Sequence, residues 1–417
     1  MITGIICEYN PFHNGHKLQI DYARKSLGSD KIVVALSPDF TQRGEIALLS
    51  KYDRTKIALE LGVDLIVQIP INAATDSALG YAYGGIKVLD SLGIVDTLLF
   101  SCEDNDIDIL TKIAYCELNE TNSYTNTLTS SLKNGQNYPT SRENAILSCF
   151  MDSDSERIRD ILSKPNNILA IEYIKAIKLL NSNITPVCMK RVGASYKDNS
   201  IEGNIASASA IRNAIQSGNI DTIKDTVPNQ AYNSYKQFYN DNAFLYPDDV
   251  SPMLGYKLLQ GNLTEYKDCN EELSNRISNE LHSFTNLTSF RSLIKSKNTT
   301  ETRISRTLSH VLLDITNDLY EDIDGRILPC IPYIYILGFN DIGSKLMSDI
   351  KENSTLPYFT SYNDALEYDF EKSSYDNSLI LKLLSADIGA TRIYNMILAG
   401  KTNKEVTSEL SRKFLVV

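Results

Sequence analysis

The chain has 417 residues, of which 42% are hydrophobic and 22% charged, with a formal net charge of −11. This length predicts two or three domains, and this balance is typical of a soluble globular protein. No run approaches eighteen consecutive apolar residues, so we expect no membrane span. The acidic charge does not favour nucleic acid, and an RNA partner would need locally concentrated positive charge.

The N-terminus and the cysteines predict the compartment. The first six residues contain no basic segment and no cleavage site, and they run directly into a motif, so we interpret them as mature structure rather than a signal peptide. The seven cysteines are scattered and never form a CxxC pair. We therefore expect free thiols, a reducing cytoplasmic location and no thiolate zinc site.

The first half of the chain alternates short apolar runs with segments of helical period. The predicted strands are residues 3–8, 32–37, 65–69, 97–101 and 185–190. The predicted helices are residues 16–27, 51–61, 77–92, 167–180 and 208–217, and Ser50 with Asp53 forms a capping pattern at the second of them. Nearly continuous apolar strands indicate a parallel sheet that helices cover on both faces, which is an α/β fold.

Two further segments organise the rest of the chain. Residues 119–137 are rich in Asn, Ser and Thr and predict a polar loop or lid. Beyond residue 228 the pattern is mainly helical, with one strand predicted at 333–337 and a boundary near 240–249. We predict an α/β catalytic domain over residues 1–228 and a mainly α-helical C-terminal domain over residues 229–417.

The turn between the first strand and the first helix carries the clearest chemistry. A helix N-terminus exposes unpaired backbone N–H groups and a positive dipole, which suit a phosphate. Gly15 lets the backbone approach a ligand, and His13 and His16 lie three residues apart across the turn. They are two of only four histidines, so we interpret them as the catalytic pair. Surface polar positions or a metal pair are the alternatives, but no Cys or carboxylate companion supports metal binding.

The segment His13-Asn14-Gly15-His16 resembles the HxGH motif of the nucleotidylyltransferase superfamily, whose core is Rossmann-like. This resemblance implies that both histidines stabilise phosphate charge while an α-phosphorus is attacked and pyrophosphate leaves. The superfamily's second motif is matched by Ser207-Ala208-Ser209-Ala210-Ile211-Arg212. Its hydroxyls and helix N–H groups suit β- and γ-phosphates, with Arg212 neutralising charge, although such a segment is also an ordinary helix N-cap.

A longer series of segments resembles the bacterial tRNA(Met) cytidine acetate ligases and covers nearly the whole chain. The matching segments are residues 8–16, 42–45, 138–142, 165–169, 190–194, 302–306 and 337–340. The resemblance implies that acetate attacks ATP to give acetyl-adenylate, and that the acetyl group then passes to N4 of the wobble cytidine of elongator tRNA(Met). It also implies Mg²⁺ with the ATP, through ligands that the sequence does not identify.

The two resemblances together imply a set of ATP-binding residues. These are Ile6, Cys7, Glu8, Tyr9, Asn10, Pro11, Phe12, His13, Asn14, Gly15, His16, Lys17, Leu18, Gln19, Ser101, Asn166, Arg191, Val192, Ser209 and Arg212. Asn166 has a second interpretation, as the N-cap of the helix predicted from residue 167. Residues 100–103 and 37–40 depart from the family, which usually has Gly in the first segment and Gly-Asn in the second, so we expect altered backbone approach to the ligand there.

Positive charge gathers in one part of the second half. The basic cluster consists of Arg291, Lys295, Lys297, Arg303 and Arg306. Arg303 and Arg306 lie three residues apart, so one helical face could carry both against tRNA phosphates. A solvated helix face is the alternative, and the resemblance favours tRNA binding.

Two other functions stay open at this point. An adenylyltransferase acting on a small phosphorylated cofactor precursor would use the same histidines. This alternative assigns no function to the mainly helical second half of the chain. An RNA-binding protein with a decayed nucleotide site would explain the departures near Pro38 and Ser101.

Overall fold

One central sheet organises the computed structural model, which describes residues 1–191, 203–296 and 299–417. The strands are β1 (Ile2–Cys7), β2 (Lys31–Leu36), β3 (Leu65–Gln68), β4 (Thr97–Cys102), β5 (Thr185–Lys190), β6 (Tyr320–Ile323), β7 (Arg326–Pro329), β8 (Ile334–Phe339), β9 (Tyr358–Phe359) and β10 (Leu415–Val416). Their order in the sheet is β10-β8-β3-β2-β1-β4-β5, with β9 beside β8, while β6 and β7 pair separately. Strands β1 to β5 pair in parallel, and β8 is antiparallel to β3.

Helices connect the parallel strands and cover the sheet. In the first half they are α1 (Asn14–Lys25), α2 (Lys51–Glu60), α3 (Ile71–Ala74), α4 (Ala78–Ser91), α5 (Ile107–Asn119), α6 (Asn122–Lys133), α7 (Tyr138–Leu147), α8 (Ser155–Leu162), α9 (Pro165–Leu179) and α10 (Ala208–Gln216). The predicted α/β fold with a parallel sheet is confirmed, because buried strands alternate with helices as the apolar pattern indicated. Ser50 caps α2 by accepting the backbone N–H of Asp53, as predicted.

The second half is mainly helical but also extends the sheet. Its helices are α11 (Asn229–Asn240), α12 (Ser251–Leu258), α13 (Glu271–Glu280), α14 (Leu287–Leu293), α15 (Glu301–Leu313), α16 (Asp341–Ser344), α17 (Leu346–Asn353), α18 (Tyr362–Glu367) and α19 (Asn377–Thr402). Strands β8 and β10 join the sheet of the first half, so the two parts share one sheet. The division at residue 228 therefore stays a prediction. Among the described helices, none combines the length and apolarity that crossing a membrane requires.

The prediction of a polar loop over residues 119–137 is wrong. Helix α6 occupies most of this segment, and Thr121 caps it by accepting the backbone N–H of Tyr124. Tyr124 is buried and Leu128, four residues on, packs against the same core. The few apolar residues are therefore spaced to bury one helical face, and this spacing outweighs the polar composition of the segment.

The prediction that all cysteines are free thiols is also wrong. Cys102 and Cys188 form a disulfide between β4 and β5. The strand register places Phe100 opposite Cys188, so Cys102 lies two residues further along on the same face of the sheet. A separation of 86 residues hides this neighbourhood from sequence inspection. The other cysteines of the described chain, Cys7 among them, are free.

Candidate active site

A pocket lies at the carboxyl ends of β1, β4 and β5, where a parallel α/β sheet commonly binds its ligand. Its wall combines these strand ends with the first turn of α1, the start of α9 and the segment before α10. The lining residues are Ile6, Cys7, Glu8, Tyr9, Asn10, His13, Gly15, His16, Leu18, Gln19, Gln42, Tyr81, Phe100, Ser101, Asn166, Leu169, Tyr173, Met189, Arg191, Ile205, Ala206, Ser207 and Ala208. The structure thus brings together the two HxGH histidines and residues from far along the chain.

The two histidines are held by the backbone of their own turn. His13 is the N-cap of α1, and its Nδ1 accepts the Gly15 backbone N–H at 3.1 Å. The His13 backbone N–H donates to His16 Nδ1 at 3.2 Å, which completes a capping box. The two rings stack with centroids 3.7 Å apart. Because each Nδ1 accepts a hydrogen bond, each neutral ring carries its proton on Nε2 and can donate it to a ligand.

Burial keeps both rings neutral. Burial and then the nearby Arg191 and Arg212 lower the pKa of His13 to about 3. Burial and then His13 and Arg191 lower the pKa of His16 well below its usual value. Neutral imidazoles still donate N–H bonds to phosphate oxygens, while Arg191 supplies the positive charge of the pocket. The pair is therefore suited to bind an anion and stabilise charge, and it is poorly suited to take up a proton.

The turn that carries these groups is strained and firmly supported. Tyr9 is buried with φ of 47°, a left-handed conformation that costs a bulky residue about 1–2 kcal/mol. Arg54, almost fully buried, donates to the backbone carbonyl of Glu8 at 2.6 Å and to those of Ser37 and Leu49, both at 3.0 Å. The Arg54 guanidinium therefore fixes the end of β1 against the ends of two neighbouring segments.

The sequence-based ATP set divides into residues that line the pocket and residues that support it. The members of the set that do not line the pocket are Pro11, Phe12, Asn14, Lys17, Ser209 and Arg212. Asn14 instead donates to the carbonyls of Asn204 and Asp225, at 2.8 and 2.9 Å. Arg212 donates to the Asn10 carbonyl at 2.6 Å and to Ser209 Oγ at 3.3 Å, so it joins α10 to the first turn. Val192 lies outside the described residues.

Asn166 is not the N-cap of its helix, so that interpretation is wrong. Helix α9 begins at Pro165 with Lys164 as its N-cap. Glu103 performs the capping instead, since its carboxylate accepts the Asn167 backbone N–H at 3.0 Å and the Asn166 side-chain amide at 2.6 Å. Asn166 lies within the first turn and lines the pocket. Pro at the first helical position explains the earlier start, because it needs no hydrogen-bond acceptor there.

The two departures from the family pattern have different consequences. Ser101 lines the pocket, so a side chain is present where the family usually has Gly. Pro38 and Asp39 do not line it. Asp39 is buried and accepts the Lys51 backbone N–H at 2.7 Å, and the Pro38 carbonyl accepts from Arg54. Pro38 and Asp39 therefore support neighbouring segments through hydrogen bonds rather than forming part of the pocket wall.

Part of the pocket wall consists of residues outside the predicted set. The lining residues that the sequence analysis does not name as site residues are Gln42, Tyr81, Phe100, Leu169, Tyr173, Met189, Ile205 and Ala206. Gln42 and Leu169 belong to the segments 42–45 and 165–169, which match the family, and these matches were the available signal. The buried tyrosines Tyr81 and Tyr173 gave none, because an aromatic residue on an apolar helix face is usually core.

The basic cluster is largely engaged in contacts within the protein. Arg291 contacts Glu45 at 2.9 Å and Glu301 at 3.2 Å, and its side chain is 16% exposed. Arg306 pairs with the Asp268 carboxylate at 3.2 Å, and Arg303 donates to the Asp268 carbonyl at 3.3 Å. Lys295 is 54% exposed, although Glu301 lies 3.4 Å from it. Lys297 lies outside the described residues.

The fold and this pocket define a nucleotidyl-transferase type of protein, and comparison with known proteins supports this. A family described as HIGH Nucleotidyl Transferase matches residues 1–409, and the chain belongs to this family. Among its relatives is the tRNA(Met) cytidine acetate ligase of Clostridium novyi, 36% identical over 393 residues that cover 93% of this chain and 97% of the relative. The protein of the same name from Clostridium acetobutylicum is 35% identical and covers 100% of both chains.

Solved structures show the same similarity. The crystal structure of Thermotoga maritima TmcAL in its apo form has a TM-score of 0.90 and 29% identity, covering 100% of both chains. The structure of TmcAL bound with alpha-thio ATP has a TM-score of 0.89 and 27% identity, covering 100% of this chain and 99% of the other. The resemblance drawn from the sequence is therefore confirmed.

Proposed function

We propose that the chain uses ATP to activate acetate as acetyl-adenylate and transfers the acetyl group to N4 of the wobble cytidine of elongator tRNA(Met). The observation that carries the proposal is the neutral, stacked His13–His16 pair at the N-terminus of α1, inside the pocket. The names of the relatives and the alpha-thio ATP of the Thermotoga maritima structure support this assignment.

In the first step the acetate oxygen attacks the α-phosphorus of ATP and pyrophosphate leaves. Acetate is already an anion, so this step needs no general base. His13 and His16 donate from Nε2 to phosphate oxygens, and Arg191 offsets the charge that builds up. We propose that the named ATP set forms the binding site. Within it, Arg212 and Asn14 act by holding the turn, Val192 follows Arg191 directly in the chain, and Glu8 lines the pocket without binding the phosphates.

We propose that Mg²⁺ enters with ATP. Among the described residues, no group of three or more His, Cys, Asp or Glu side chains is arranged to hold a metal ion. The phosphates of ATP would then supply most of the oxygen ligands that Mg²⁺ prefers. When bound, the ion neutralises phosphate charge, and the pocket residues orient the nucleotide.

We propose that residues 1–228 carry the acetate chemistry and residues 229–417 dock the tRNA, in the cytoplasm where ATP and tRNA occur. The exposed Lys295 is the best-placed phosphate contact of the described basic cluster. Arg291 and Arg306 would first have to leave their ion pairs to act in the same way.

Acetate-dependent exchange of labelled pyrophosphate into ATP tests the first step. We expect exchange that requires acetate and Mg²⁺ in the parent protein. An adenylyltransferase for a phosphorylated cofactor precursor would show no acetate dependence, and a decayed nucleotide site would show no exchange. Either result would contradict the proposal.

A further inference from the structure

The transfer step requires a proton acceptor, and few pocket groups can serve as one. When the cytidine N4 amine attacks the acetyl carbon, its nitrogen must lose a proton. Each Nδ1 of His13 and His16 already accepts a backbone N–H, which leaves Nε2 as a donor. Burial raises the pKa of the Cys7 thiol and of the Tyr81 and Tyr173 hydroxyls, so these groups stay protonated. Neither the histidines nor these weak acids are suited to accept the proton.

Glu8 is the single carboxylate among the described residues that line the pocket. Its Oε1 accepts the Gln42 backbone N–H at 2.9 Å, which orients the carboxylate. Its own carbonyl is held by Arg54. Among the described residues, none donates a hydrogen bond to Oε2, and Glu8 as a residue is only partly buried. One oxygen is therefore fixed and the other is available to a ligand.

A carboxylate at this position does not suit contact with phosphate. Two like charges 4 Å apart repel by about 4 kcal/mol at an effective dielectric constant of 20. An N–H donor, in contrast, is attracted to the free oxygen. Among the substrates of the proposed function, both the adenine N6 amine of ATP and the cytidine N4 amine are N–H donors, and of the two only the cytidine amine must lose a proton.

We propose that Glu8 is a catalytic residue of the acetyl-transfer step, whose carboxylate binds the N4 amine of the cytidine and accepts its proton. The inference rests on the proposed function. The N4 lone pair forms a bond to the acetyl carbon, and the bond from that carbon to the adenylate oxygen breaks. AMP leaves with the electron pair of that bond, and the proton from N4 passes to Glu8, which later releases it to solvent.

The test compares the two half-reactions in the full chain with Glu8→Gln. The amide keeps the shape and an oxygen for the Gln42 N–H, so the turn should stay folded, which circular dichroism checks. We expect tRNA acetylation to fall by about 100-fold or more, while acetate-dependent pyrophosphate exchange falls by less than about threefold. Glu8→Asp should recover part of the acetylation, because it restores a carboxylate.

The control is Glu60→Gln, at the exposed end of α2, which should match the parent in both assays. Equal losses of exchange and acetylation in Glu8→Gln would overturn the proposal and assign Glu8 to ATP binding. Unchanged acetylation would overturn it as well. Failure of the proposed function would show earlier and separately, because the parent itself would then lack acetate-dependent exchange or tRNA acetylation.

Discussion

The HxGH turn and the basic cluster are both predicted from residue type and spacing. In the structure the HxGH histidines line a pocket, whereas most of the described basic cluster is paired within the protein. His13 and His16 meet in one pocket with their rings stacked. In the basic cluster, Arg291 and Arg306 form ion pairs with Glu45 and Asp268. The geometry of a strand–turn–helix motif is determined by a few consecutive residues. Whether an arginine is free to bind a ligand depends instead on acidic residues that lie elsewhere in the chain and can pair with it.

The two regions are connected through the segment 42–45. Arg291 holds Glu45, and Ser309 Oγ donates to the Gly44 carbonyl at 2.7 Å. Gln42 lies in this segment, lines the pocket and orients Glu8. Helices α14 and α15 therefore support one side of the pocket, whatever they bind outside.

The largest effect should follow from removing one pocket histidine. We expect His16→Ala to lower acetate-dependent exchange by about 100- to 1,000-fold, because it removes a preorganised donor to the phosphate. The matched control is His282→Ala, because His282 is exposed and its Nδ1 lies 2.9 Å from the Asn279 carbonyl, outside the pocket. Equal exchange rates in the two variants would contradict the role of the turn.

Support of the turn from the neighbouring strands can be tested at Arg54. Arg54→Met leaves buried carbonyls unpaired, so we expect the free energy of unfolding to fall by at least about 3 kcal/mol in urea denaturation. Arg54→Lys should recover little, since one ammonium cannot reproduce the planar array of donors. The control Arg159→Met removes a side chain that is 58% exposed and should change little. A stability loss no larger than that of Arg159→Met would contradict the supporting role.

The connection between the two regions can be tested with two glycines of matched backbone. Gly44 and Gly28 have φ of +69° and +68°, but a Cβ on Gly44 would lie 2.6 Å from the Arg306 backbone, while Gly28 has open space. Gly28→Ala should cost about 1 kcal/mol of unfolding free energy, and Gly44→Ala about 2 kcal/mol more. Gly44→Ala should also lower tRNA acetylation, because Gln42, whose backbone N–H orients Glu8, moves with the segment. Equal losses of unfolding free energy in Gly44→Ala and Gly28→Ala would show that α15 does not pack closely against the segment that contains Gly44.

The smallest effect concerns the basic cluster itself. We expect Lys295→Glu to weaken tRNA binding by about fivefold and to reduce its salt dependence, without loss of stability or of pyrophosphate exchange. Lys372→Glu, another exposed lysine outside the cluster, is the control. Filter binding at several salt concentrations measures both. If the two variants bind tRNA equally, the docking surface lies elsewhere.

Local patterns were sufficient for most of the sheet and the first turn. The five predicted strands of the first half match β1 to β5 to within one residue at every end. Short apolar runs bounded by turn residues are typical of buried strands in an α/β fold. The HxGH turn was predicted because strand, turn and helix are contiguous. Helix α6 was missed because polar composition was given more weight than the spacing of Tyr124 and Leu128.

Contacts between distant segments could not be predicted. The disulfide of Cys102 and Cys188 and the capping of α9 by Glu103 depend on which strands become neighbours. The sequence gives no sign that Arg54 is buried and supports the HxGH turn, because a single Arg on a helix is usually exposed. Its four carbonyl partners are defined only once the strand ends have come together.

The most direct measurement is mass spectrometry of elongator tRNA(Met) after incubation with this protein, ATP and isotope-labelled acetate. We predict one labelled acetyl group on the wobble cytidine, dependent on ATP and absent with His16→Ala. Unmodified tRNA together with acetate-dependent pyrophosphate exchange would contradict the proposed acetyl transfer to tRNA. Unmodified tRNA without exchange would contradict both the activation of acetate and its transfer.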